Sequence, residues 1–134
     1  MGLDMYVHRA KAKYLEDQPD VGMHKETIGH LFDDGKVNEL WYWRKHHDLH
    51  GWMGRLYISK GGDGDFNCAY MRLTAEDIAL LRVAVTNGTL PPTKGFFFGD
   101  NPPDDESKAD DLRFCDAAKE ALEAGDTLLY FAWW

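Results

Sequence analysis

Residues 42–57, YWRKHHDLHGWMGRLY, bring three histidines, two arginines and a lysine together among tyrosines and tryptophans. His46 and His50 stand one helical turn apart, a spacing that could place both rings on one metal ion. A zinc site needs further ligands. No HExxH glutamate follows, since the residue after His46 is His47, and no paired cysteines lie nearby. The favoured expectation is therefore no metal, with both rings flanking a core and hydrogen-bonded to neighbours.

His47, His50, Gly51 and Gly54 fall on one side of the same helix. Glycine inside a helix costs about 1 kcal/mol against alanine, so two of them point to a close approach there. A neighbouring backbone is the favoured occupant and a ligand the alternative. Arg44 and Lys45 sit where a strand turns into this helix, and a helix N-terminus flanked by cations suits a phosphate or carboxylate. The alternative, which we favour, makes Arg44 the ion-pair partner of Asp4, an acid on an otherwise apolar strand. The triple phenylalanine in GFFFGD, residues 95–100, cannot turn all its rings inward on an extended chain. Phe97 is thus expected to face away from Phe96 and Phe98, where it covers a pocket, meets a partner or folds under the next helix, the last being favoured. The candidate binding residues are Asp4, Tyr6, Trp43, Arg44, Lys45, His47, His50 and Phe97; no catalytic residue and no cofactor are assigned.

Other chemistry is weaker. Asp63–Asn67 imitates the opening of a calcium loop, but Cys68 stands where glycine is required and Thr74 where the closing glutamate is. No G-x-S-x-G elbow and no Walker loop occur. Cys68 and Cys115 read as reduced core thiols, and the acidic pairs Asp33-Asp34 and Asp104-Asp105 as solvated.

These residues must be positioned by one domain, residues 1–134, with enough apolar content (44%) for a core. Asp4, Tyr6 and His8 alternate with Leu3, Met5 and Val7, which predicts a half-buried strand. Residues 11–35 look irregular, with room for one short strand or turn, and KVNELWYW reads as a second strand. The following helix carries Leu49, Trp52, Met53 and Leu56 as one apolar stripe, which puts Trp52 in the core. FNCAYMRL, residues 66–73, reads as a third strand. Thr74 and Asp77 form a capping-box pattern for a helix that Gly88 ends, and a further helix runs from Asp105 to Ala124 before Gly125. TLLYFAWW is apolar nearly throughout and belongs in the middle of a sheet or under helices. The expected class is α+β: a mostly antiparallel sheet of about four strands with about three packed helices.

A net charge of −8 argues against duplex nucleic acid as a partner and suits a basic protein surface. No apolar run is long enough to span a bilayer, and the opening residues lack the pattern of a secretory signal, so the expected location is the cytoplasm without a membrane partner.

The blocks MGLDMY, YWRK with LHGWM, FNC, LPPTKGFFFG and YFAWW occur in an order that resembles a family of small phage and prophage proteins, and they cover nearly the whole chain. The chain departs from that family's pattern at His47, where asparagine is usual, and at Ala132, where serine is usual. Members are often called phosphoglycerate kinases, but a kinase of that kind needs two lobes and this is one small domain. The resemblance implies a bacterial host cytoplasm and a non-enzymatic accessory product that binds a host protein, with counter-defence as its role. The alternative is a binder or sponge of an anionic, nucleotide-like small molecule. A third reading is an enzyme on nucleotides with His50 as acid or base.

Overall fold

The computed structural model describes residues 3–23, 25–62, 66–91 and 105–134. Five antiparallel strands form its sheet: β1 (Asp4–Lys11), β2 (Val21–Met23), β3 (Val37–Arg44), β4 (Tyr70–Leu73) and β5 (Asp126–Trp133), in the order β2-β4-β5-β1-β3. Among the described residues four α-helices accompany them: α1 (Lys25–Asp33), α2 (His47–Ser59), α3 (Ala75–Asn87) and α4 (Asp105–Glu123). The α+β class follows, with all strand pairs antiparallel.

The alternation in β1 sorts its residues as the sequence predicts. Met5 and Val7 enter the main core with Leu128, Tyr130 and Ala132 of β5, Met71 and Leu73 of β4, and Trp43 of β3. The helices α2, α3 and α4 cover this inner face through Leu49, Met53, Ile78, Leu81, Phe114 and Ala118. The outer face carries a second, smaller core in which α1 and the segment before it bury Ala10, Val37, Tyr70 and Leu129 under Leu15, Ile28 and Leu31. With both faces covered along much of its length, β5 can be apolar on both sides, and it sits third in the sheet of five. Between Val7 and His8 the β1–β3 register slips, pairing Val7 with Trp41 but His8 with Glu39. The extra residue, Leu40, packs on the main core, while Val37 still reaches the outer core.

Four sequence expectations change. Residues 11–35 hold a 3-10 turn (Ala12–Tyr14), β2 and the whole of α1, whose Ile28, Leu31 and Phe32 form a short apolar face interrupted only by Gly29. The third strand is shorter than expected, because Cys68 adopts φ 62° and leaves the strand geometry. Asn67 replaces ladder bonds there: its amide donates to the Trp134 carbonyl at 3.1 Å and accepts from the Trp134 N–H at 3.1 Å. Cys68 is exposed and only Cys115 is a core thiol. The α2 stripe is also turned slightly: Leu49, Met53 and Tyr57 are buried, whereas Trp52 and Leu56 are half-buried against the core. The caps of α3 agree with the sequence, as Thr74 and Asp77 exchange both bonds of a capping box and Gly88 takes a left-handed φ of 66°.

Candidate functional site

The side chains of β1 and β3 that point outward build a polar-aromatic row. The register sets Asp4 opposite Arg44 and Trp133, and Tyr6 opposite Tyr42 and Phe131. The Tyr42 hydroxyl donates to Asp4 Oδ1 at 2.6 Å. That bond holds the phenolic proton in place and, with the added negative charge of Asp4, raises the Tyr42 pKa to about 12. The rings continue across the sheet: Tyr42 to Tyr6 at 5.1 Å, Tyr6 to Phe131 at 6.5 Å, and Phe131 to Tyr70 at 4.5 Å between centroids. Tyr70 is buried under the outer core, Tyr6 and Phe131 are half-buried, and Tyr42 (43%) and Trp133 (48%) are exposed. His8 closes the row, stacked on Tyr6 at 5.7 Å and edge-on to Phe32 at 5.2 Å. Its Nδ1 is buried without a hydrogen-bond partner, and burial pushes its pKa down to about 4.

Among the described residues no ion pair joins Asp4 to Arg44 although they are register partners; the phenol of Tyr42 occupies Asp4 instead. Both Arg44 and Lys45 are exposed. Lys45 carries the turn itself, with φ 58° and its N–H bonded to the Leu3 carbonyl at 2.8 Å.

Under the inner face lies a different arrangement. Asp111 of α4 is buried and accepts from Trp43 Nε1 at 3.2 Å; His46 Nε2 approaches its other oxygen at 2.7 Å. A carboxylate only accepts, so His46 presents an N–H there. The pair clamps the start of α2 to α4. One turn on, His50 Nδ1 lies 2.7 Å from the Tyr130 hydroxyl. The His50 ring stacks on Phe66 at 5.6 Å and meets Trp134 edge-on at 4.7 Å. This enclosure lowers the His50 pKa to about 4 and raises that of the fully buried Tyr130 well above its usual value. A general acid or base works best with a pKa near the operating pH, which His50 does not have.

The seven candidate residues that the structure describes therefore do not converge. Asp4, Tyr6 and Arg44 share the outer face, Lys45 stands at the junction, and Trp43, His47 and His50 are buried beneath the inner face. Phe97 and the rest of GFFFGD lie outside the described residues, as do residues 63–65 of the rejected calcium loop. His46 and His50 each hydrogen-bond to a different residue, as the favoured reading of that spacing expects. Gly54 has nothing within 4 Å of where a Cβ would stand, so no close backbone approach explains it.

Sequence reasoning missed Tyr42, Phe131, Trp133 and Asp111. The first three would follow from extending the alternation of β1 to its partners. Asp111 precedes Phe114, Cys115 and Ala118 by three, four and seven residues, which puts it on the buried stripe of α4. No protein-family profile, curated protein or solved structure matches this chain, and its outward aromatic row thus stands on its own geometry.

Proposed function

We propose that this chain is a phage or prophage accessory protein that binds a host protein through the outer face of its sheet, in a counter-defence role in the bacterial cytoplasm. The observation that supports this most is the exposure of Tyr42 and Trp133 beside the half-buried Tyr6 and Phe131. Tyrosine, tryptophan and arginine are the side chains that most often dominate binding energy at protein interfaces. Here strand pairing and the Asp4–Tyr42 bond hold them in place before any partner arrives, which lowers the ordering cost of association. The net charge of −8 favours a partner with a basic surface.

The test is retention of host proteins on the immobilised chain, with Tyr42→Asp and Trp133→Asp as interface variants and Ile58→Asp as a control on another exposed residue. A discrete host protein retained by the wild type and by Ile58→Asp, but lost by the two aromatic variants, supports the reading. Equal retention by all four chains, or none by any, overturns it.

One observation favours a second reading, the anionic, nucleotide-like ligand. Arg44 and Lys45 make no ion pair among the described residues, and Arg44 shares its face with the Tyr42 and Tyr6 rings. Small molecules carried through purification and identified by mass spectrometry distinguish the two.

A further inference from the structure

The end of the sheet opposite Asp4 and Arg44 gathers positive charge in a chain that is strongly acidic overall. Arg9 and Lys11 of β1, Tyr14 of the 3-10 turn, Lys36 just before β3, Asn38 of β3 and Asp126 of β5 line a depression of about 250 Å³. It lies roughly 20 Å along β1 from Asp4, at about 3.3 Å per residue.

Three features make it more than a scatter of lysines. Arg9 is anchored, its Nε donating to Asp126 Oδ2 at 2.7 Å and its Nη2 contacting the same oxygen, so its guanidinium is fixed in the wall. Lys36 and Lys13 both rest over the Tyr14 ring, at 4.9 and 5.3 Å from its centroid, which holds two ammonium groups against one ring. The acids do not cancel the cations. Asp126 offsets Arg9, and Asp34 reaches Lys36 only through an exposed contact at 3.7 Å, which is worth little in water. Lys11 and Lys13 have no carboxylate within ion-pair distance among the described residues. A recess with this excess of cations in an acidic chain concentrates anions. Lysines act as point charges toward phosphate, and a depression of this size admits a small phosphate-bearing molecule.

We propose that this depression is a binding site for a small phosphate-bearing anion, recognised through its phosphate groups by Lys11, Lys36 and the anchored Arg9. The site is independent of the outer aromatic row and of Arg44.

The experiment is calorimetric titration of the full chain with inorganic pyrophosphate at low salt, with ADP in a parallel arm. Saturable binding of one pyrophosphate per chain is expected, weakened about tenfold by Lys11→Glu and by Lys36→Glu, a loss of about 1.4 kcal/mol each. Arg55→Glu, at an exposed cation on α2 outside the lining, leaves it unchanged. Lys11 and Lys36 are both exposed, so thermal melts of their variants stay close to the wild type and the loss of binding is not a loss of fold. ADP binds with similar affinity, because the phosphate and not its carrier is recognised. Absence of binding at millimolar pyrophosphate overturns the proposal. So does binding lost in Arg55→Glu but kept in Lys36→Glu, or binding of ADP without pyrophosphate.

Discussion

Asp111 holds a carboxylate where only 2% of its surface meets solvent, and its two oxygens are taken by two rings from the β3–α2 junction. Truncating it orphans the Trp43 indole N–H and the His46 N–H together. Asp111→Ala is expected to destabilise the fold by about 3 kcal/mol, and Asp111→Asn, which keeps one acceptor, by about half of that. Urea unfolding midpoints measure both. Arg44 is the opposite case, an exposed cation whose register partner is already satisfied by Tyr42. Arg44→Glu should change stability by less than about 0.5 kcal/mol in a thermal melt. The sequence shows both charges but not what each meets. Opposite charges on neighbouring strands invited an ion pair; the competitor was a phenol two residues before Arg44, and choosing between them required the rotamers. The outer row was half legible: Asp4, Tyr6 and Arg44 were singled out, yet their facing rings depended on a register that alternation alone does not fix.

Among the elements, α2 separates orientation from existence. Its apolar residues announce a helix, but Leu49-Trp52-Met53-Leu56 and Leu49-Met53-Tyr57 differ by a small rotation that sequence leaves open. Met53 has no exposed surface, whereas Trp52 is half-buried. Met53→Ala should cost about 3 kcal/mol, within the range for deleting a buried core side chain, and Trp52→Ala less, despite the larger ring. Parallel denaturant melts decide the order, and a reversed order means that the indole carries the packing. The capped helix α3 was fully legible because its signals are local: a hydroxyl, an acid three residues on and a terminal glycine. The short helix α1 was not, because its stability comes from the outer core it covers and not from propensity.

For the molecule as a whole, both faces of the sheet enclose a neutral histidine, His8 on the outer side and His50 on the inner. Burial lowers each pKa from 6.5 to about 4. In the unfolded chain both rings protonate near 6.5, so below that pH the unfolded state takes up protons that the folded state refuses. These two rings therefore make stability fall as pH drops from about 6.5 to about 4, with no further contribution outside that window. Urea midpoints at steps between pH 7.5 and 4 should trace the fall. His8→Phe removes a buried nitrogen that lacks a partner and should halve the part of the slope that these two rings contribute, since each binds at most one proton. An unchanged slope in that variant means that His8 titrates freely.

The strand β5 pairs with both β1 and β4, so it joins the two halves of the sheet. During synthesis, β1 to β4 and the described helices α1 to α4 emerge before residues 126–133 do. Until then β1 has only β3 beside it, β4 has only β2, and the apolar inner sides of both pairs have no shared floor. The nascent chain therefore waits in a state rich in exposed apolar surface and open strand edges, the kind that chaperones bind and that aggregates when they are scarce. A chain cut short between residues 123 and 126 has every described helix but lacks β5, the strand that joins the β1–β3 and β2–β4 pairs into one sheet.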